Sequence, residues 1–250
     1  MRKDYLSVIG AALMLAIGIS SCSSNDEDIS VIDTEEPPYI EHTDTINGWA
    51  ITRDDLGRVT YLNFFLPVYD PVEKLYNSPS SFDEVKHLFP LSEGNEIRLS
   101  GEGEDTPFEG LPEFKQYHED YTQYYKGVRV QSWTRFNYFI TPEGKRMSYA
   151  FIGPFIDIKD LEATPHLSEQ DARQVLADYL KVDRDDSWLC ELFIREFSSK
   201  ENGTIVRTPR LVYLVYGPYA PGDPNIRYIR APQYMALIDA HTGELISIST

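Results

Sequence analysis

The sequence predicts an α+β protein built from two modules in tandem, each a helix packed on an antiparallel sheet. Three observations predict it. From Tyr117 to Gly153 aromatic and β-branched residues dominate, and Thr141-Pro142-Glu143-Gly144 splits the second half of that stretch, the pattern of antiparallel strands joined by a turn. Two segments led by Ser81 and Ser168 open runs in which apolar residues recur at helical spacing. Asn202-Gly203 lies between two long strand-like runs and is the strongest hairpin signal in the chain. The boundaries read as 1–21 for a signal peptide, 22–46 for a flexible acidic tether, 47–160 for an N-terminal hairpin plus the first module, and 161–250 for the second module.

Taken in order, Arg2 and Lys3 precede an apolar run from Val8 to Ile19 that is too short to remain as a bilayer-spanning helix. Ile19-Ser20-Ser21-Cys22 then reads as a lipobox, so Cys22 is expected to become an acylated first residue. The following Ser23-Ser24-Asn25-Asp26-Glu27-Asp28 resembles the acidic export signal of lipoproteins on the outer face of the Gram-negative outer membrane; it reads equally as a solvated tether. The expected location is therefore the outer membrane at the cell surface, with the lipid as the only membrane contact.

Trp49 to Thr52 and Val59 to Leu66 flank Arg53-Asp54-Asp55-Leu56-Gly57 and predict a β-hairpin; two aspartates fall short of the five to seven oxygens of a calcium loop. Ser81 is placed to cap a helix with Glu84 answering three positions on, Phe82, Val85 and Phe89 share one face, and Pro90 stops it. Gly101-Glu102-Gly103-Glu104-Asp105 reads as a loop whose carboxylates exclude phosphate. In the sheet that follows, Tyr121, Gln123 and Tyr125 share a strand face, while Tyr124, Trp133, Phe136 and Tyr138 add more aromatic area than one core face needs. That surplus suits a protein-binding surface or packing against the first helix and the hairpin. Gly127 interrupts the strand pattern as a bulge or bend would.

Leu161 to Pro165 marks the join between modules. Ser168-Glu169-Gln170-Asp171 is a capping box, Leu167 is placed to staple against Ala172, and Ala172, Val175, Leu176, Tyr179 and Leu180 keep helical spacing. Strands are predicted from Trp188 to Phe197, Thr204 to Tyr216, Tyr228 to Ile238 and Leu245 to Ile248, the last pair closing around Asp239 to Gly243. Alternation puts Cys190 on a face with Trp188, Leu192 and Ile194, as an inert buried thiol; with Cys22 acylated, no internal disulfide forms.

Two of these stretches carry a resemblance. Gln123-Tyr124-Tyr125-Lys126-Gly127-Val128-Arg129-Val130 is similar to the signature of the FTP module, the first half of the propeptide of fungalysin and thermolysin-like zinc metallopeptidases, which has a Gln, an aromatic pair, a Gly and two Val-like positions in this order. Asp239-Ala240-His241-Thr242-Gly243-Glu244 resembles the closing hairpin of a PepSY module, and FTP followed by PepSY is the order of that propeptide. The resemblance covers residues 75–248. It implies two cystatin-like modules, candidate interaction residues Gln123, Tyr125, Gly127, Val130, Asp239 and Gly243, and a propeptide's work: assisting the folding of a peptidase and covering its cleft, here in trans.

The chemistry expected is contact without turnover. A formal charge of −17 disfavours nucleic acid and anionic lipid surfaces. A thermolysin-like site needs His-Glu-x-x-His, and none of His42, His87, His118, His166 and His241 has another histidine within four residues. His118-Glu119-Asp120 could supply two metal ligands and a base, but adjacent residues in a strand point to opposite faces, so the three are not expected to converge on a metal. No Gly-x-Ser-x-Gly elbow is present. The sequence thus leads to no catalytic residue, metal or cofactor, and to a partner that is a peptidase or another surface protein. The alternative function is a surface binding or structural lipoprotein that recognises a peptide, glycan or membrane protein.

Overall fold

Strand pairing begins before the segment read as the hairpin. The structure, a computed structural model, describes residues 42–46, 49–64, 78–106, 114–201, 203–218 and 232–249. His42–Ile46 forms β1, Trp49–Arg53 β2 and Val59–Asn63 β3, an antiparallel meander, so the last five residues of the predicted tether are a strand paired residue by residue with β2. The predicted signal peptide, Cys22 and the rest of the tether lie outside the described residues.

The central stretch folds as its pattern demands. β4 is Asn95–Asp105, β5 Lys115–Tyr125, β6 Val128–Arg129, β7 Thr134–Ile140 and β8 Arg146–Ile152. The first sheet runs β1-β2-β3-β8-β7-β5-β4, with β6 paired to β5. The N-terminal meander therefore extends the central sheet, because β3 pairs with β8 through Leu62 and Phe151. Gly101 to Asp105, expected as a loop, continues β4, with a bulge between Leu99 and Gly101. Gly103 is what permits it: a Cβ there would stand 2.6 Å from the ring of His118, its partner on β5.

The expectation of two cystatin-like helix-on-sheet modules is overturned. Among the described residues there is a single α-helix, and the protein is mostly strand in two antiparallel sheets. Where the first helix was expected, Phe82–Glu84 and Lys86–Leu88 form two consecutive 3₁₀ turns. The Ser81 side chain makes no cap, and the Glu84 carboxylate instead accepts from the Ser80 N–H and hydroxyl. Between Pro79 and Pro90 there is too little chain to repay the cost of helix nucleation. The apolar stripe still does what its spacing implies. Phe82, Val85 and Phe89 are buried, and the Phe82 ring stacks on Phe151 at 5.7 Å with Phe89 at 4.6 Å from the same ring. With Ile51, Leu62, Phe64, Phe136, Tyr138 and Phe155 they form an aromatic core on one face of the first sheet.

The helix predicted after Ser168 is present. The helix α1, Glu169–Leu180, begins in the predicted capping box: the Asp171 N–H donates to Ser168 Oγ, and the Ser168 N–H donates to the Asp171 carboxylate at 2.9 Å. Its buried residues Ala172, Leu176 and Ala177 rest on a sheet ordered β12-β11-β10-β9, where β9 is Leu189–Glu201, β10 Thr204–Tyr216, β11 Met235–Asp239 and β12 Leu245–Ser249. The hairpin at Gly203, φ +83°, joins β9 and β10 over thirteen residue pairs, the longest ladder among the described residues.

The core under α1 draws on both halves of the chain: Tyr125, Val130, Ile156 and Ile158 pack with Leu176, Trp188, Ile194, Leu211 and Val215. Val130 bridges Ile194 in parallel, and the Gln131 N–H donates to the Ile194 carbonyl at 2.7 Å. A second tie is ionic. Arg58 donates to Asp54 Oδ2 at 2.7 Å and to Glu196 at 2.7 and 3.0 Å, while Arg207 reaches Asp55 at 2.7 Å. Asp54 is only 1% exposed. Burial works against the Arg58 charge, and the Glu196 and Asp54 carboxylates more than offset it, raising the Arg58 pKa. Such a network adds little net stability over an apolar contact, yet removal of one partner leaves a buried charge and costs about 3–5 kcal/mol.

Candidate functional site

Of the six signature residues, Gln123, Tyr125, Val130 and Asp239 are buried, Gly243 is half-buried and Gly127 is exposed. Gln123 is fully buried on β5. Its amide accepts from the Ile156 N–H at 2.8 Å and donates to the Ile156 carbonyl at 2.5 Å and to Asn95 Oδ1 at 2.9 Å. One side chain thus substitutes for a strand neighbour of the 155–158 segment. Tyr125 and Val130 are core residues beneath α1. Gly127, φ +84°, follows Lys126, φ +47°, in the two-residue turn between β5 and β6, a turn that needs positive φ at both positions. The bend predicted there is a hairpin.

Asp239 and Gly243 shape the terminal turn. Asp239 Oδ1 accepts from the N–H groups of His241 and Thr242, both at 2.9 Å, and the Gly243 N–H donates to the Asp239 carbonyl. Burial alone would raise the Asp239 pKa; these two N–H donors and Arg210 bring it below the ordinary carboxylate value.

The aromatic surplus is mostly interior. Phe136 and Tyr138 are buried, and Tyr121 is half-buried with its hydroxyl donating to Glu119 at 2.7 Å; burial and the adjoining carboxylate push that phenol well up. Arg146 donates to Glu119 at 2.8 Å and lies 3.7 Å over the Tyr138 ring. Trp133, 56% exposed, is the member of the group that faces solvent, with the Arg135 guanidinium 5.1 Å from its ring. His118 and Glu119 point apart, but His118 and Asp120 share a face, against the expectation that the three residues diverge: His118 meets Asp105 at 2.9 Å and lies 3.8 Å from Asp120, whereas Glu119 meets Arg146. Cys190 is half-buried, and desolvation pushes its thiol up to about 12, which makes it a poor nucleophile at neutral pH.

What stands open is β4. It ends the sheet, and no described strand pairs with its outer edge. Glu96, Arg98, Leu99, Ser100, Glu102 and Glu104 along it are exposed, Leu99 by 50%. Beside its start a hollow of about 340 Å³ is lined by Asn95, Glu96 and Ile97 of β4 and by Lys86, Phe89 and Leu91 before it. The sequence concealed this site because glycines and carboxylates read as a loop. Elsewhere, the segment before α1 meets the terminal turn, and Glu162, His166 and His241 bring three metal-ligating side chains together. No family model and no curated protein matches the chain. The likeness to FTP and PepSY modules therefore rests on the motifs at Gln123 to Val130 and Asp239 to Glu244.

Proposed function

We propose that this chain is a lipid-anchored surface protein that acts by contact, adding an extended segment of a partner protein to the open edge of β4. One observation carries the reading: an eleven-residue edge strand, free on its outer side among the described residues, with a hollow of mixed polar and apolar lining beside its start. Strand addition draws affinity from main-chain hydrogen bonds and specificity from pockets that receive alternate side chains. Charge selects the partner: Glu96 is paired with Arg98 on the same strand, and Glu102 and Glu104 further along the edge favour a segment carrying Lys or Arg between apolar residues. The Cys22 lipid holds the protein at the outer membrane, and a peptidase guarded in trans is the narrower form of the same idea.

Extended peptides alternating Lys and apolar residues, titrated against the purified protein, are expected to bind with micromolar affinity and to protect β4 amides from hydrogen exchange. Glu102→Lys with Glu104→Lys is expected to weaken binding at least about tenfold. Binding that leaves β4 unprotected and ignores the charge reversal refutes the edge. A thermolysin-like peptidase slowed by intact protein selects the narrower form, and peptide hydrolysis lost on a single substitution refutes action by contact.

A further inference from the structure

We propose that Glu162, His166 and His241 form a three-ligand site for a divalent cation of the zinc class. Each of the three offers one ligating atom, and these atoms all lie within 4.8 Å of one another. His166 Nε2 is 3.2 Å from Glu162 Oε2, and the His166 and His241 ring centroids are 4.7 Å apart. Metal bonds of about 2.0–2.2 Å in a tetrahedral site hold ligand atoms about 3.4 Å from each other. The closest pair already meets that spacing. The largest separation exceeds it by little more than an ångström, within reach of small side-chain rotations at this exposed place.

The backbone holds the two histidines in this relation. The N–H groups of His166 and Leu167 both donate to the Ala240 carbonyl, at 3.0 and 3.1 Å, and the His241 N–H donates to Asp239 Oδ1. Ala240 is itself fully buried, so residues 166 and 241, far apart in sequence, are pinned across one core position. His241 Nε2 lies 3.2 Å from the Thr164 carbonyl. In the tautomer that donates Nε2–H to that oxygen, Nδ1 carries the free lone pair, the relation by which a backbone carbonyl orients a metal-binding imidazole.

The donor set chooses the ion. Two imidazoles and one carboxylate suit zinc and its late first-row neighbours, whereas calcium and magnesium require oxygen throughout. Three protein ligands leave the fourth tetrahedral position to water. A bound ion would tie the segment entering α1 to the β11–β12 turn. Without it the His166 and Glu162 contact is an exposed pair of little energetic weight. The site does not depend on the β4 edge.

The test is a zinc titration of chelator-treated full-length protein by calorimetry, paralleled by cobalt followed through its visible absorption. One ion per chain is expected, with micromolar affinity and the absorption of a four-coordinate site. His166→Ala and His241→Ala are each expected to weaken binding by about tenfold or more, and Glu162→Gln to weaken it less, while His87→Ala leaves it unchanged. His166 and Glu162 are exposed, so their variants fold whatever the turn variant does. No binding at millimolar zinc, or affinity equal to the unmodified protein in both His166→Ala and Glu162→Gln, overturns the site.

Discussion

Replacement of Gln123 by Met tests whether the signature glutamine is a structural clamp. Met keeps the length of the side chain and removes its polar atoms. The Ile156 N–H and carbonyl then lose the amide that satisfies both, in a position with no solvent access. Each buried backbone group left unpaired costs about 1–3 kcal/mol, so the pair predicts a loss of about 4 kcal/mol. With an m-value of about 2–3 kcal/mol per molar urea, the unfolding midpoint falls by about 1.3–2 M. Gln123→Glu is expected to be at least as harmful, because a carboxylate accepts from the Ile156 N–H but sets an oxygen against the Ile156 carbonyl and Asn95 Oδ1. Urea titration followed by tryptophan fluorescence reads both. A midpoint shift under about 0.5 M for both variants would mean that the clamp does not bear on stability, and Gln123 would return to the roster of interaction residues.

Three further outcomes follow from the same structure. Ser168→Ala removes one half of the capping box and is expected to cost about 1 kcal/mol in chemical unfolding, with Ser168→Asp retaining most of it. Gly153→Ala is expected to cost at least about 3 kcal/mol, measured as a fall in thermal midpoint, because Gly153 has φ +105° and a Cβ there would overlap the Trp133 carbonyl oxygen. For acid stability the sign is set by Asp157, Asp239 and Glu119. Burial would raise each of them, yet Ser92 and Lys159, the terminal-turn amides, and Arg146 with Tyr121 respectively bring all three below their ordinary values. Their contribution is present at neutral pH and is lost as the pH falls through those lowered values, so unfolding should grow easier on acidification past the carboxylate range. Asp239→Asn should flatten that pH dependence in urea titrations at pH 7 and pH 3.

The pattern of apolar residues made much of this fold legible. β10 begins and ends where the alternation and the Asn202-Gly203 turn put it, and α1 begins at the cap that Ser168 and Asp171 announce. These are local signals: a turn and a helix start are decided within a few residues. The first helix failed although its stripe was read correctly, since Phe82, Val85 and Phe89 reach the core from 3₁₀ turns as well as from an α-helix. β4 was hidden because Gly101 and Gly103 have poor strand propensity, and only the His118 ring packed across Gly103 makes that glycine a strand residue.

By itself the sequence determined the antiparallel character of both halves, the capped helix and the net acidic charge, because each is written in neighbouring residues or in composition. Only the tertiary structure decided that Gln123 is a buried clamp, that Asp54, Arg58, Glu196 and Arg207 tie hairpin to hairpin, that β4 lies open, and that Glu162 and His166 meet His241. The reason is distance along the chain. Hydrogen bonds and ion pairs act over a few ångströms, and residues far apart in sequence reach that range only once sheet order and strand register have been set.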